Sequence, residues 1–60
     1  MTLVKIVEKS TQCVANRMYF TKDETLETLL YWVKVALAGD AGVYAEFKYR
    51  DSLYLVEVEE

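Results

Sequence analysis

The chain has no proline and no histidine, and it has only one cysteine and two glycines in 60 residues. Each scarcity excludes something. With Cys13 alone, no internal disulfide can staple the fold. Without histidine, a zinc site would need Cys13 plus carboxylates, a poor donor set, and the commonest general base is missing. Neither a metal nor a cofactor is therefore expected. Gly39 and Gly42, in "GDAG", match no phosphate-binding loop and read as turn residues. No apolar run reaches the ~18 residues of a membrane span. The opening "MTLVKIVEKS" lacks the charged region and apolar stretch of a signal peptide. A lone cysteine and no export signal point to a reducing cytoplasm, with no membrane partner.

What is present is apolar. The hydrophobic fraction is 53%, and five tyrosines, two phenylalanines and one tryptophan lie in the chain. Disorder is excluded on that composition. The length makes residues 1–60 one domain at most. Such a domain buries roughly 60% of the surface its unfolded form exposes, and its stability is on the order of 3–5 kcal/mol. Seven basic against ten acidic residues leave a net charge of −3, which disfavours direct nucleic-acid binding. The acids cluster as Glu57, Glu59 and Glu60 in "VEVEE" and as Asp23, Glu24 and Glu27 in "KDETLE". The first group reads as a solvated tail and the second as a complement to a helix N-terminus. A basic partner protein would also draw them.

Alternation predicts four strands. "TLVKIVEK" sets Val4 and Ile6 against Leu3, Lys5 and Val7. A polar turn around Ser10 and Thr11 leads to "CVANRMYF", where Val14, Met18 and Phe20 share a face with Asn16. In "GVYAEFKYR", Val43, Ala45, Phe47 and Tyr49 alternate with Tyr44, Glu46, Lys48 and Arg50. "RDS" is a tight turn, and "LYLVEVE" follows as the last strand. A hairpin at Asp51-Ser52 pairs Tyr49 with Ser52 or Tyr54, and both registers keep Phe47 and Val56 on one face. Between the hairpins a helix is expected from about Lys22 to Ala38. Thr21 and Glu24 have the spacing of a capping box, and Gly39 supplies the left-handed stop. The order is β-β-α-β-β, an α+β fold with one helix packed on a four-stranded, mostly antiparallel sheet. The strand order stays open, a β-grasp-like arrangement among the choices.

The stretch "TLLYWVKVALAG" is apolar on too many sides. Leu26, Leu29, Leu30, Val33 and Leu37, with Ala36 at the edge, form one stripe at 100° per residue. The opposite side carries Tyr31, Val35 and Ala38, flanked by Thr28 and Trp32, where a solvated helix would carry charge. The same excess marks the sheet. If one face packs under the helix, Leu3, Val7, Tyr19, Tyr44, Leu53 and Leu55 are left on the other. Large apolar patches of this kind mark interfaces, whose centres favour tyrosine and tryptophan. Tyr31, Trp32, Val35 and Thr28 are the candidate partner-binding residues. Packing under a loop would be the plainer fate of the first three.

No motif for catalysis is present. Asp23, Glu24 and Glu27 sit in an exposed segment with no pocket, and Cys13 has no neighbouring base. The chain is not expected to be an enzyme.

Met1, Leu3-Val4-Lys5 and Val7, then Met18 followed by Phe20-Thr21-Lys22 and Asp23, resemble the Dmd antitoxins of T-even-like bacteriophages. A tryptophan in the helix, Trp32, a short polar turn and the acidic "LVEVEE" strand add to the likeness, as does the length. The resemblance covers residues 1–7 and 18–23. It implies a small protein made in the cytoplasm of the infected host. Its partner would be a bacterial endoribonuclease toxin of the RnlA and LsoA type, blocked by protein contact so that mRNA survives. It also implies Trp32 as a contact position. A monomer or weak homodimer is expected in isolation. The alternative is a small homo-oligomeric interaction domain that buries its open sheet face on itself. A third reading, a single-strand-binding module, would use Tyr19, Tyr44 and Phe47 for stacking with Lys5, Arg17, Lys48 and Arg50 as cations. Net acidity and the core placement of Phe47 oppose it.

Overall fold

The computed structural model describes residues 1–58. Glu59 and Glu60 of the acidic tail lie outside the described residues. The elements are β1 (Thr2–Glu8), β2 (Val14–Phe20), α1 (Leu26–Leu37), β3 (Val43–Tyr49) and β4 (Ser52–Glu57). All strand pairs are antiparallel, in the order β2-β1-β3-β4. The expected β-β-α-β-β fold with a helix on a four-stranded sheet is therefore present. A β-grasp order is not, because β1 meets β3 antiparallel. β2 and β3 run parallel on either side of β1, and α1 makes the crossover between them.

Val4, Ile6, Leu29, Val33, Leu37, Ala45 and Phe47 form the core, with Met18, Phe20, Leu26, Leu30, Tyr54 and Val56 packed around it. The alternation of β1 and β3 thus points the expected residues inward. The Phe47 ring stacks on Tyr54, its cross-strand neighbour, with centroids 5.4 Å apart. α1 lies principally over β3 and β4, so the β2 side of the sheet is thinly covered.

One feature of β2 differs from expectation. Alternation puts Val14 on the face of Met18 and Phe20, but the register shifts between Ile6 and Val7: Ile6 faces Asn16 while Val7 faces Val14. Ala15 is left unpaired as a bulge, which carries Val14 to the face of Val7. Val14 is exposed there. Asn16 stays on the core side but beyond the helix, and its Oδ1 accepts the Arg17 N–H at 2.9 Å.

The helix begins later than the capping box suggests. Thr21 does not cap it. Residues 21–24 close a turn, in which Glu24 N–H donates to Thr21 O at 3.3 Å. The Glu24 carbonyl accepts the Tyr49 hydroxyl at 3.3 Å. Thr28 N–H, which would have reached Glu24 in a longer helix, bonds instead to Thr25 Oγ1 at 3.2 Å. Thr25 is the N-cap, with extended backbone (φ −78°, ψ 157°). Consequently Glu27, not Asp23 or Glu24, occupies the first turn, and Lys34 lies in the last. Each complements the helix dipole.

At the other end, Gly39 is left-handed as expected (φ 73°), but Ala38 is already so (φ 52°, ψ 33°). The helix therefore stops at Leu37. Ala38 N–H reaches the carbonyls of Lys34 and Val35 at 3.3 and 3.1 Å, and Asp40 N–H reaches Leu37 at 2.9 Å. Asp40 Oδ1 then accepts Gly42 N–H at 2.8 Å, which shapes the entry to β3.

The β3–β4 register is the one pairing Tyr49 with Ser52. Its two-residue loop is Arg50-Asp51, so Ser52 belongs to β4. Both loop residues have positive φ, 49° and 66°, the mark of a type I′ hairpin turn.

Candidate interaction surfaces

Two surfaces are left without cover. The first is the outer side of α1. Since Leu29, Val33 and Leu37 are fixed against the sheet, helical geometry turns positions 31, 32 and 35 away from it. Tyr31, Trp32 and Val35 are 61%, 48% and 53% exposed. The Tyr31 and Trp32 rings meet edge to face, centroids 5.2 Å apart at 81°. This contact holds two large rings upright on a rigid helix, so less side-chain entropy is lost on docking. Thr28, the fourth candidate, is half-buried and committed: its hydroxyl accepts from Thr25 Oγ1 at 3.0 Å. It borders the ridge and supports the cap. Ala38 is exposed just past the helix end. Among the described residues, no loop covers the ridge.

The second surface is the open face of the sheet. The registers arrange it in three rows across β2, β1, β3 and β4. These are Tyr19–Leu3–Lys48–Leu53, then Arg17–Lys5–Glu46–Leu55, then Val14–Val7–Tyr44–Glu57. Tyr19, Leu53 and Leu55 are more than half exposed. Val7, expected to be exposed here, is buried between its partners Val14 and Tyr44. Tyr44 is half-buried, its hydroxyl donating to Gln12 Oε1 at 3.3 Å. The bulge thus makes a small apolar cluster at one end of the face, while towards the other end Leu53 and Leu55 lie along β4 and Leu3 lies across β3 from them. A shallow depression of about 300 Å³ lies there beside Leu3, Lys5, Lys48 and Leu53.

The strand order also gathers charge. Lys5 and Arg17 are direct partners, and Lys48 lines the same depression as Lys5 and Leu3. Among the described residues none of the three forms a salt bridge; the one ion pair is Lys9 with Glu57, at 2.7 Å. Arg50, the fourth basic residue considered above, is elsewhere, its guanidinium 5.4 Å from the Tyr49 ring centroid in the hairpin loop. Phe47 is buried and offers no stacking surface. Tyr19 and Tyr44 are two strands and four residues apart in register, about 16 Å. They do not make the closely spaced platform that successive bases need. A face-to-face homodimer would bring two copies of this cationic group together, which is unfavourable.

Cys13 is exposed at the end of the β1–β2 loop, its Sγ 3.7 Å from Thr11 O. Among the described residues, no three His, Cys, Asp or Glu side chains are grouped to hold a metal ion. Among the described residues, no helix is long and apolar enough to cross a membrane. No family model, curated protein or solved structure matches the chain.

Proposed function

We propose that the protein is a phage antitoxin that binds a bacterial endoribonuclease toxin of the RnlA/LsoA type. It inhibits by protein–protein contact, not by catalysis, and so protects phage mRNA in the host cytoplasm. The Dmd-like residues at 1–7 and 18–23 suggest the class of partner. The observation that carries the binding mode is the uncovered ridge of Tyr31, Trp32 and Val35 on the outer side of α1. A helix held on a sheet can enter a groove as one rigid body, with its exposed side chains as anchors. Aromatic anchors of this kind supply most of the energy at protein interfaces.

The test is the double substitution Tyr31→Ala with Val35→Lys. Both side chains are exposed, so the fold should survive with little loss, about 0.5 kcal/mol per site. Binding should weaken by at least about 2 kcal/mol, roughly thirtyfold in Kd. Circular dichroism reports the fold, and RNA cleavage by the toxin reports inhibition. Trp32→Ala is less clean because half of the ring is packed. A well-folded double variant that inhibits fully would move the contact away from the helix.

A further inference from the structure

The open face of the sheet is chemically unlike the rest of the molecule. The chain as a whole carries a net charge of −3. Yet among the described residues this face presents Lys5, Arg17 and Lys48, opposed by Glu46 once Glu57 is paired with Lys9. The cations are exposed and stand among aliphatic side chains, with Leu53 and Leu55 on the outermost strand and Leu3 on the central one. We propose that this face is a second docking surface and that its occupant is an acidic amphipathic helix of a partner protein. The inner face already shows what such a sheet packs against: a helix, α1, whose leucines and valine fill the surface between strands. A helix on the outer face would set its apolar stripe over Leu3, Leu53 and Leu55, and carboxylates along one flank would reach Lys48, Lys5 and Arg17. Long basic side chains suit this role, since their stems cover apolar surface while their heads meet the charge.

Other occupants fit less well. A second copy of this face repels through its own cations. The helix of a second copy, Leu26–Leu37, carries one acid and one base, Glu27 and Lys34, so it offers no charge match. A nucleic-acid strand finds its tyrosines too far apart. The proposal is independent of the helix-ridge reading, because it concerns the opposite side of the sheet.

The full chain would be titrated with three probes: a stapled helix whose leucine stripe is flanked by glutamates, its twin with lysines in place of the glutamates, and a short uridine oligomer. Fluorescence anisotropy gives affinities, and amide NMR shifts locate the contact. The acidic helix should bind about tenfold more tightly than its basic twin, with shifts centred on Leu3, Lys5, Arg17, Lys48, Leu53 and Leu55. Lys5→Gln, Arg17→Gln and Lys48→Gln together should remove most of that preference, and the Tyr31/Val35 double variant should keep it. Equal binding of the two helices, binding of neither, preference for the oligouridine, or self-association that covers this face would each overturn the proposal.

Discussion

Phe47 is the residue on which the fold depends most visibly. It is 2% exposed, sits on β3 between β1 and β4, pairs with Val4 on one side and Tyr54 on the other, and lies in the same core as Leu29 and Val33 of α1. Truncation to alanine removes a buried ring and leaves a cavity, at a cost of about 3–5 kcal/mol. The lost stacking with Tyr54 adds about 0.5–1.5 kcal/mol. A 60-residue domain has on the order of 3–5 kcal/mol in all, so Phe47→Ala should be unfolded at 25 °C. Phe47→Leu gives a graded measurement. The swap itself costs about 1 kcal/mol, and the stacking loss brings the total to about 2 kcal/mol. With a urea slope near 1 kcal/mol per molar for so small a protein, the midpoint should fall by about 2 M. The assay is urea denaturation followed by far-ultraviolet circular dichroism. A Phe47→Ala variant that melts cooperatively with a midpoint close to the wild type would refute the parity of β3, and with it the facing of the whole hairpin.

The helix start can be tested by pairing two threonines: Thr25→Ala should cost about 1 kcal/mol as loss of an N-cap, while Thr21→Ala should be near neutral, and equal effects in urea melts would contradict the late start. At the helix end, an added Cβ at Gly39 would meet nothing within 4 Å, so Gly39→Ala should cost about 1 kcal/mol through backbone strain alone. Ala38→Gly should instead be neutral or stabilising by thermal melt, because Ala38 is itself left-handed. In the β3–β4 turn, replacing Arg50-Asp51 by Asn-Gly should raise stability by about 1 kcal/mol; a loss would mean that the arginine's contact with the Tyr49 ring outweighs the relief of two positive φ angles.

Features with a fixed period were readable in the residues alone. Two-residue alternation placed Val4, Ile6, Ala45 and Phe47 inward, and the helical repeat separated Leu29, Val33 and Leu37 from Tyr31 and Val35. Features set by competition between equivalent local signals were not. Thr21 with Glu24 has the spacing of a capping box, yet Thr25 is the N-cap, and the Tyr49 hydroxyl, distant in sequence, donates to the Glu24 carbonyl instead. The bulge at Ala15 has no mark in "CVANRMYF", yet it reverses Val14. Among the surfaces, the helix ridge was legible because its exposure follows from the wheel. The cationic patch was legible only in part: Lys5, Arg17 and Lys48 could be grouped as cations, with Arg50 wrongly among them, but their adjacency depends on the strand order.

The central pairing of β1 with β3 joins residues 4–8 to residues 43–47, and this sets a schedule for biosynthesis. The first hairpin emerges early but is marginal alone, as isolated two-stranded hairpins are. Its β1 edge stays open until β3 has been made, and Leu3, Val4, Ile6 and Val7 are exposed to proteases and to other nascent chains meanwhile. This one distant pairing closes more slowly than the two local hairpins that flank it. Closure of β1 onto β3 therefore competes with degradation of the open chain. Substitutions that speed that closure should raise abundance even where they leave the finished surface unchanged.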